Sequence, residues 1–384
     1  MRTGAERVID AIWYGRSPLR WPLWPISLLF RAATSVRSAA YRRGVARSAV
    51  LAVPVVVVGN ITSGGTGKTP FVVWLAAQLK ARGWSPGIVT RGYRGRAGSW
   101  PQRVSAQSDP GLVGDEPVLL AARTACPVVA GPDRVAAARR LLADAEQSGY
   151  AVDVLLSDDG LQHYRLARAF EIAVVDGVRG FGNALCLPAG PLREPVSRLR
   201  SVDAVVVNDG AHGGASVAQR GASDDAHGGA FGGAHGEAFG GATRARFAPS
   251  GVLPAGVPED AFRMSLAVSR VYRITDGEPA GLAAFAGRTV HAVAGIAHPE
   301  RFFRMLEAAG IDVIRHPLPD HADIAAADLR HEPAAPVLVT EKDAVKCRAI
   351  AHGDVWCAAV DAVVEAAAAE RLTAALVERL RAKR

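Results

Sequence analysis

The sequence holds only four cysteines in 384 residues, Cys126, Cys186, Cys347 and Cys357, and no two of them form a C-x-x-C pair. That scatter argues against both a disulfide framework and a zinc site, and for a reducing compartment. No apolar run reaches the roughly 20 residues that span a bilayer. The apolar stretch from Trp21 to Phe30 is interrupted by Pro22 and Pro25, and no small-residue cleavage site follows a continuous apolar core. A cleavable signal peptide is therefore not expected. Negative charge is scarce at one end: through residue 50, nine arginines face only Glu6 and Asp10, so that region carries nearly all of the formal net charge of +8. A basic field confined to one end suits an anionic surface, not a nucleic-acid groove through the protein, and no nucleic-acid partner is expected.

What lies among those arginines is "RWPLWPISLLFR". Basic residues, interfacial tryptophans and a short apolar run together suit a segment lying in the headgroup region of a membrane. The competing reading is a helix packed on the protein's own surface with its arginines solvated. Residues 1–48 are taken as a basic amphipathic, membrane-associating segment.

Further along, "LAVPVVVVGN" is a β-branched run bounded by Gly59 and Asn60, the mark of a buried strand in a parallel sheet. A glycine-rich turn follows, and "PFVVWLAAQLKARG" then places Phe71, Trp74, Leu75 and Leu79 at helical spacing before Gly83. The runs "PGIVTRG", "CPVVAG", "VDVLLSDD", "EIAVVDG" and "VDAVVVND" read as further strands, with helical stretches such as "DRVAAARRLLADAEQSG" between several of them. The predicted fold class is α/β: a P-loop NTPase-type parallel-sheet domain over 49–209, a second, smaller α/β domain over 246–384, and the N-terminal membrane-associating helical segment. Residues 210–245 form a Gly/Ala/His-rich insert expected to be flexible. Its histidines His212, His227 and His235 read better as part of a tolerated loop expansion than as a metal tract.

The turn "GNITSGGTGKTP" almost spells the phosphate-binding pattern G-x-x-x-x-G-K-[ST], with Thr62 at the position of the first glycine. Gly64, Gly65 and Gly67 let backbone N–H groups turn inward on a polyphosphate, and the following helix adds its positive end. Lys68 would bridge the outer phosphates and Thr69 would offer its hydroxyl to Mg²⁺. Asp158 and Asp159, directly after an apolar strand, are carboxylates placed to meet that metal or its waters. Asp115 in "GDEP" is either a helix cap or a base that accepts a hydroxyl proton in phosphoryl transfer.

Taken together, "GNITSGGTGKTP", "RGYRGR", "GDEP", "DDGLQH", "PAGPLREP", "GIAHPERF" and "TEKDAVK" resemble, in order, the tetraacyldisaccharide 4'-kinase family, the lipid A 4'-kinases of Gram-negative bacteria. The resemblance runs over most of the chain, and the variant loop with Thr62 is itself a family feature. It implies an ATP- and Mg²⁺-dependent enzyme, peripheral on the cytoplasmic face of the inner membrane. Its acceptor would be an acylated glucosamine disaccharide lipid, with no obligate protein partner. By carry-over, Thr62, Ser63, Gly64, Gly65, Thr66, Gly67, Lys68 and Thr69 bind ATP, and Thr69, Asp158, Asp159 and Glu194 organise the metal. Asp115 is the base, His298 its partner across the cleft, and Lys68 assists the transfer. Arg91, Tyr93, Arg94, Gln162, His163 and Arg193 fall in motifs facing the substrate. Leu161 stands where the family usually has phenylalanine. The main rival is a membrane-associated P-loop ATPase acting as a switch with a protein partner.

Overall fold

The computed structural model describes residues 4–211 and 253–383, so the insert from residue 212 onward, with His212, His227 and His235, lies outside the described residues. Two helices come first, α1 (Gly4–Trp13) and α2 (Arg20–Arg42). The first half then runs β1 (Val55–Gly59), α3 (Lys68–Ala81), β2 (Pro86–Thr90), β3 (Gln102–Val104), α4 (Pro110–Val113), α5 (Asp115–Thr124), β4 (Val128–Ala130), α6 (Arg134–Ser148), β5 (Val154–Asp158), β6 (Phe170–Asp176) and β7 (Ala204–Ala211). The second half holds β8 (Phe262–Arg273), β9 (Pro279–Ala280), β10 (Thr289–Ala294), α7 (Pro299–Ala308), β11 (Asp312–Pro317), β12 (Val337–Thr340), α8 (Glu341–Cys347), β13 (Val355–Val364) and α9 (Ala366–Arg381). The strands β1, β2, β4, β5, β6 and β7 and the helices α3 and α6 fall where the sequence patterns place them, whereas β3, β8, β9 and β13 have no counterpart in that reading.

Among the described residues the strands form one continuous sheet in the order β11, β10, β12, β13, β8, β7, β6, β1, β5, β2, β4, β3, with β9 paired to β8. The β1 run is uniformly β-branched because both of its faces are covered. Val56 and Val58 pack with Phe71, Leu75 and Leu79 of α3 on one side. Val55 and Val57 meet Val135, Ala138 and Leu141 of α6 on the other. Leu372, Leu376 and Leu380 of α9 join the α3 side, so the last helix of the second half is anchored on the first.

β8 joins the halves: it runs parallel to β7 and antiparallel to β13. β13, β12, β10 and β11 are parallel among themselves and therefore run opposite to the first half. From β1 to β10 the sheet passes through β6, β7, β8, β13 and β12. At about 20–25° of twist per step this accumulates to roughly 120–150°, enough to bring the carboxyl ends of both halves toward one cleft.

Phe71, fully buried between β1 and the first turns of α3, fixes the helix behind the glycine-rich loop. Phe71→Ala is expected to cost about 3–5 kcal/mol, read as a lower urea midpoint at unchanged slope. A midpoint within error of the parent would show that Phe71 does not carry this packing.

Candidate active site

The loop between β1 and α3 is shaped by its glycines. Gly64 and Gly67 adopt φ of 110° and 87°, and a Cβ on Gly67 would stand 2.5 Å from the Asn208 amide nitrogen. That amide in turn donates to the Thr66 carbonyl at 3.0 Å. Thr62 needs no glycine because its backbone is extended in an isolated antiparallel bridge with Leu192. Its hydroxyl accepts from the Asn60 amide at 3.4 Å. Gly67 caps α3 without any side-chain hydrogen bond, which leaves the N–H groups of the first turn uncapped by the protein, as an anion site requires. Pro70 in that turn lacks only a donor the helix does not use.

Around this loop lies a cavity of about 480 Å³. Its walls from the first half include the loop from Ser63 to Thr69, Arg91, Tyr93, Glu116, Asp159 and Arg193. From the second half come His298, Arg301, Asp320, His321 and Lys342. The Lys68 ammonium lies 3.3 Å from Asp159, and Arg193 holds the same carboxylate at 3.1 Å. Burial raises the pKa of Asp159, but these two cations outweigh it and hold the acid well below the usual carboxylate range. Asp158 shows the opposite balance: burial, with repulsion from Glu116 and Asp159, pushes it up to about 7 against Lys68 and Arg134. Among the described residues its Oδ1 has no hydrogen-bond partner, and the Thr66 hydroxyl is likewise buried without one. An unmet buried carboxylate oxygen within the electrostatic reach of Lys68 is the kind of donor that a hard cation fits.

Asp115 opens α5 and is buried. His321 Nδ1 lies 3.0 Å from its Oδ2, and Lys342 Nζ lies 3.0 Å from the other ring nitrogen of His321 and 3.2 Å from Glu116. Because ionised Asp115 only accepts, His321 donates from Nδ1 and accepts from Lys342 at Nε2, which fixes the neutral tautomer. Burial raises Asp115, yet the His321 hydrogen bond and the charges of Lys342 and Lys346 prevail and lower it. Burial likewise pulls Lys342 down, and Glu116, Asp115 and Asp320 reverse that and raise it. The Tyr93 ring meets His321 edge-on at 5.1 Å, and Arg94 donates to the His321 carbonyl at 3.1 Å.

Two sequence assignments are corrected by this arrangement. The partner of Asp115 is His321, not His298. His298 instead stands beside Gly64, its Nε2 3.4 Å from where a Cβ would lie, and within 3.0 Å of the Arg179 guanidinium. Glu194 does not face the cleft as a metal ligand: its carboxylate accepts from Gln162 at 3.0 Å and from the Tyr164 hydroxyl, with Arg198 at 3.9 Å. Gln162, His163 and Arg94 also stand outside the cavity wall, and His163, pulled down to about 4 by burial and Arg134, lies 3.9 Å from Asp133. Arg91, Tyr93 and Arg193 do line it. Leu161 is fully buried, its side chain filling the space over Gly59. Sequence reasoning missed His321 and Lys342. The available signal was "PDH", one residue after the strand "DVIRHP", at a carboxyl end.

Fold and cleft define the class first: a mixed α/β protein in which a glycine-rich loop, an uncapped helix N-terminus and the Asp159 carboxylate share one cavity. More narrowly, the chain belongs to the LpxK family, tetraacyldisaccharide-1-P 4'-kinase, whose model matches residues 19–378. The tetraacyldisaccharide 4'-kinase of Nitrosococcus oceani is 45% identical over 349 residues, 91% of this chain and 88% of that one. Its counterpart in Alkalilimnicola ehrlichii is 47% identical over 371 residues, 96% of each chain. Among solved structures, the "apo" form of LpxK from Aquifex aeolicus in complex with ATP is similar with a TM-score of 0.67 and 26% identity, covering 94% of this chain and 99% of that one.

The raised pKa of Asp158 gives a signed test. An unfolded aspartate titrates near about 3.9, so between there and about 7 the native state holds a proton that the unfolded state has lost. This contribution to stability is fully present below the unfolded value and is lost as pH rises through 7. With no divalent cation present, Asp158→Asn is expected to have a higher urea midpoint than the parent at about pH 8, the two converging near about pH 4. Equal midpoints at the higher pH would mean that Asp158 is ionised without strain.

Proposed function

We propose that this protein is a lipid kinase, moving the γ-phosphoryl group of ATP to the 4'-hydroxyl of a tetraacyl glucosamine disaccharide 1-phosphate at a membrane surface. The observation that carries the reading is one cavity uniting the glycine-rich loop and Lys68 from one half with His321 and Lys342, the partners of Asp115, from the other. Membership of the family supplies the reaction.

In this reading the loop is a P-loop. N–H groups of Gly64 to Thr69 hold the β- and γ-phosphates, and Lys68 leaves Asp159 to neutralise them. Thr69 with Asp158 and Asp159 would hold Mg²⁺, whose charge offsets that developing on the phosphoryl oxygens. Arg301, which pairs with Asp176, and His298 beside Gly64 add positive and polar character at the loop's entrance. The Asp115–His321 pair receives the proton of the acceptor hydroxyl at His321 Nε2, once the substrate hydroxyl replaces Lys342 on that nitrogen, while Asp115 keeps the ring oriented through Nδ1 and supplies the compensating negative charge. Lys342 and Glu116 are positioned to orient the attacking oxygen. The loops that the two halves contribute to the cavity close around ATP, excluding water before transfer.

The membrane reading rests on α2, which is amphipathic the wrong way round for a helix packed in water. Its two buried residues are serines, Ser27 and Ser38, and the Ser27 hydroxyl accepts from the Ala189 N–H at 2.9 Å. Meanwhile Trp21, Leu29 and Val36 are 63%, 72% and 69% exposed. Among the described residues no helix is long and apolar enough to cross a membrane. An apolar outer face flanked by arginines suits a helix lying in an anionic surface, where an acylated substrate resides. The cytoplasmic face of the inner membrane meets those requirements, since ATP is supplied there.

Transfer of labelled γ-phosphate from ATP to a detergent-dispersed disaccharide 1-phosphate tests the reaction. Asp115→Ala and His321→Ala are each expected to lower kcat by about 10²–10⁴ while ATP binding survives, and Lys68→Ala to abolish labelling. ATP hydrolysis with unlabelled lipid would sink the kinase reading in favour of the switch ATPase. For the surface, a Trp21→Ser, Leu29→Ser, Val36→Ser variant should bind anionic liposomes at least about tenfold more weakly, since each buried side chain contributes about 1.5–3 kcal/mol. Undiminished binding would move the membrane contact elsewhere.

A further inference from the structure

We propose that His291, His316 and His331 form a site for a divalent transition-metal ion of the Zn²⁺ class, at the outer edge of the second half and separate from the nucleotide cleft. None of the three lines the cavity. Each offers one ring nitrogen, and these nitrogens lie within 4.8 Å of one another. The site is built from three chain segments. His291 is on β10 and His316 on the adjacent parallel strand β11, on the same face, since Val293 pairs with His316 and His291 lies two residues before Val293. His331 reaches them from the connection between β11 and β12.

The hydrogen bonds already set two of the rings for coordination. His291 Nε2 lies 2.9 Å from the Pro333 carbonyl, and His331 Nε2 lies 2.9 Å from the Asp328 carbonyl. A carbonyl only accepts, so both Nε2 atoms carry hydrogen and both Nδ1 atoms present lone pairs. This is the arrangement by which backbone carbonyls orient histidine ligands around a metal. His291 Nδ1 accepts from His316 Nε2 at 2.9 Å, so at present a proton occupies the position between them. On metal binding His316 moves that proton to Nδ1. Three neutral imidazoles then bind the ion, with no net proton released and a water in the fourth position.

A tetrahedral ion bonded at about 2.0–2.1 Å separates its ligand atoms by about 3.4 Å, so the His291–His316 nitrogens, now 2.9 Å apart, must open slightly to admit the ion while His331 adjusts to it. His291 is 1% exposed and fixed. His316 and His331, half-buried and stacked at 3.8 Å, are the rings that turn. The all-nitrogen set favours zinc, cobalt, nickel or copper over magnesium.

An ion here would tie β10 and β11 to the connection that follows. That same connection carries Asp320 and His321 into the cleft, so occupancy would also hold the segment that presents the Asp115 partner. The proposal does not depend on the kinase reading, because binding is measured without turnover.

The test is a Co²⁺ titration of the metal-stripped full chain, followed by visible absorption. One Co²⁺ per chain with the strong bands of a tetrahedral nitrogen site is expected, displaced by Zn²⁺ and not by Mg²⁺. His316→Asn and His331→Asn, both at half-buried positions, should each weaken Co²⁺ affinity at least about tenfold. The unaltered protein gives a second readout: Zn²⁺ should protect His316 and His331 from carbethoxylation by diethyl pyrocarbonate, mapped by mass spectrometry. Absence of the bands, bands that persist in both variants, or equal modification with and without Zn²⁺ would each overturn the site and leave a packed imidazole trio.

Discussion

Sheet twist is the constraint on which this molecule depends. Its parallel halves run in opposite directions on either side of β8, and in a flat sheet their carboxyl ends would point away from each other. Functional loops in open α/β sheets gather beyond those carboxyl ends. The right-handed twist of successive strands turns the second set back toward the first, and the loops after β1, β5, β10 and β11 meet in one cavity. A continuous sheet thereby does what two separately folded domains would need a hinge and an interface to do. It also fixes which residues of the second half can reach Asp115.

Within the cleft, electrostatics divides the carboxylates by partner. Asp159 has Lys68 and Arg193 and stays ionised, whereas Asp158, next in sequence and deeper, has no partner for Oδ1 and is pushed toward protonation. Asp115 lies between these extremes, buried but lowered by a neutral imidazole and a lysine from the other half. Buried groups with unmatched charge are poised for a ligand that supplies it. The paired site around Asp115 needs none to hold its shape. The ion pairs of Arg123 with Glu341 and Asp361, beside Lys342, lock α5 to α8 and β13 behind this contact. Glu194 belongs to a different kind of network. Together with Glu171, Tyr164, Gln162 and Arg198 it forms a satisfied buried cluster under the loop, which supports the site without facing it.

The N-terminal helix follows an inverse logic. Serines that hydrogen-bond the body face inward, and tryptophan, leucine and valine face out. In water that arrangement forfeits the burial that normally fixes a surface helix, which a lipid interface, as proposed for this segment, would restore. The positive charge gathered in the same segment would add attraction to an anionic surface of that kind.

Much of this was legible in the sequence because it is written locally. A β-branched run of four valines, three glycines at fixed offsets and a helical apolar period place β1, the loop and α3 within a few residues of one another. Each rests on short-range sterics that neighbouring residues decide. Arginine spacing in the first 50 residues likewise gave the basic segment, and Asp115, Asp158 and Lys68 were identifiable as candidates from their positions after strands or glycines. Tertiary structure alone decided which side chains meet. His298 and His321 are both loop histidines in the second half, indistinguishable in chemistry, and only the accumulated twist and the course of the chain after β11 put His321 on Asp115. Glu194 and Asp158 are both carboxylates near the loop, and only burial and hydrogen bonding separated the satisfied one from the one left without a partner. The three edge histidines lie 25 and 15 residues apart in sequence, a spacing with no motif in it. Strand pairing between β10 and β11 and the return of the connection brought them together. Local sterics set the elements, whereas contact across distant segments depends on sheet geometry that no short stretch of sequence encodes.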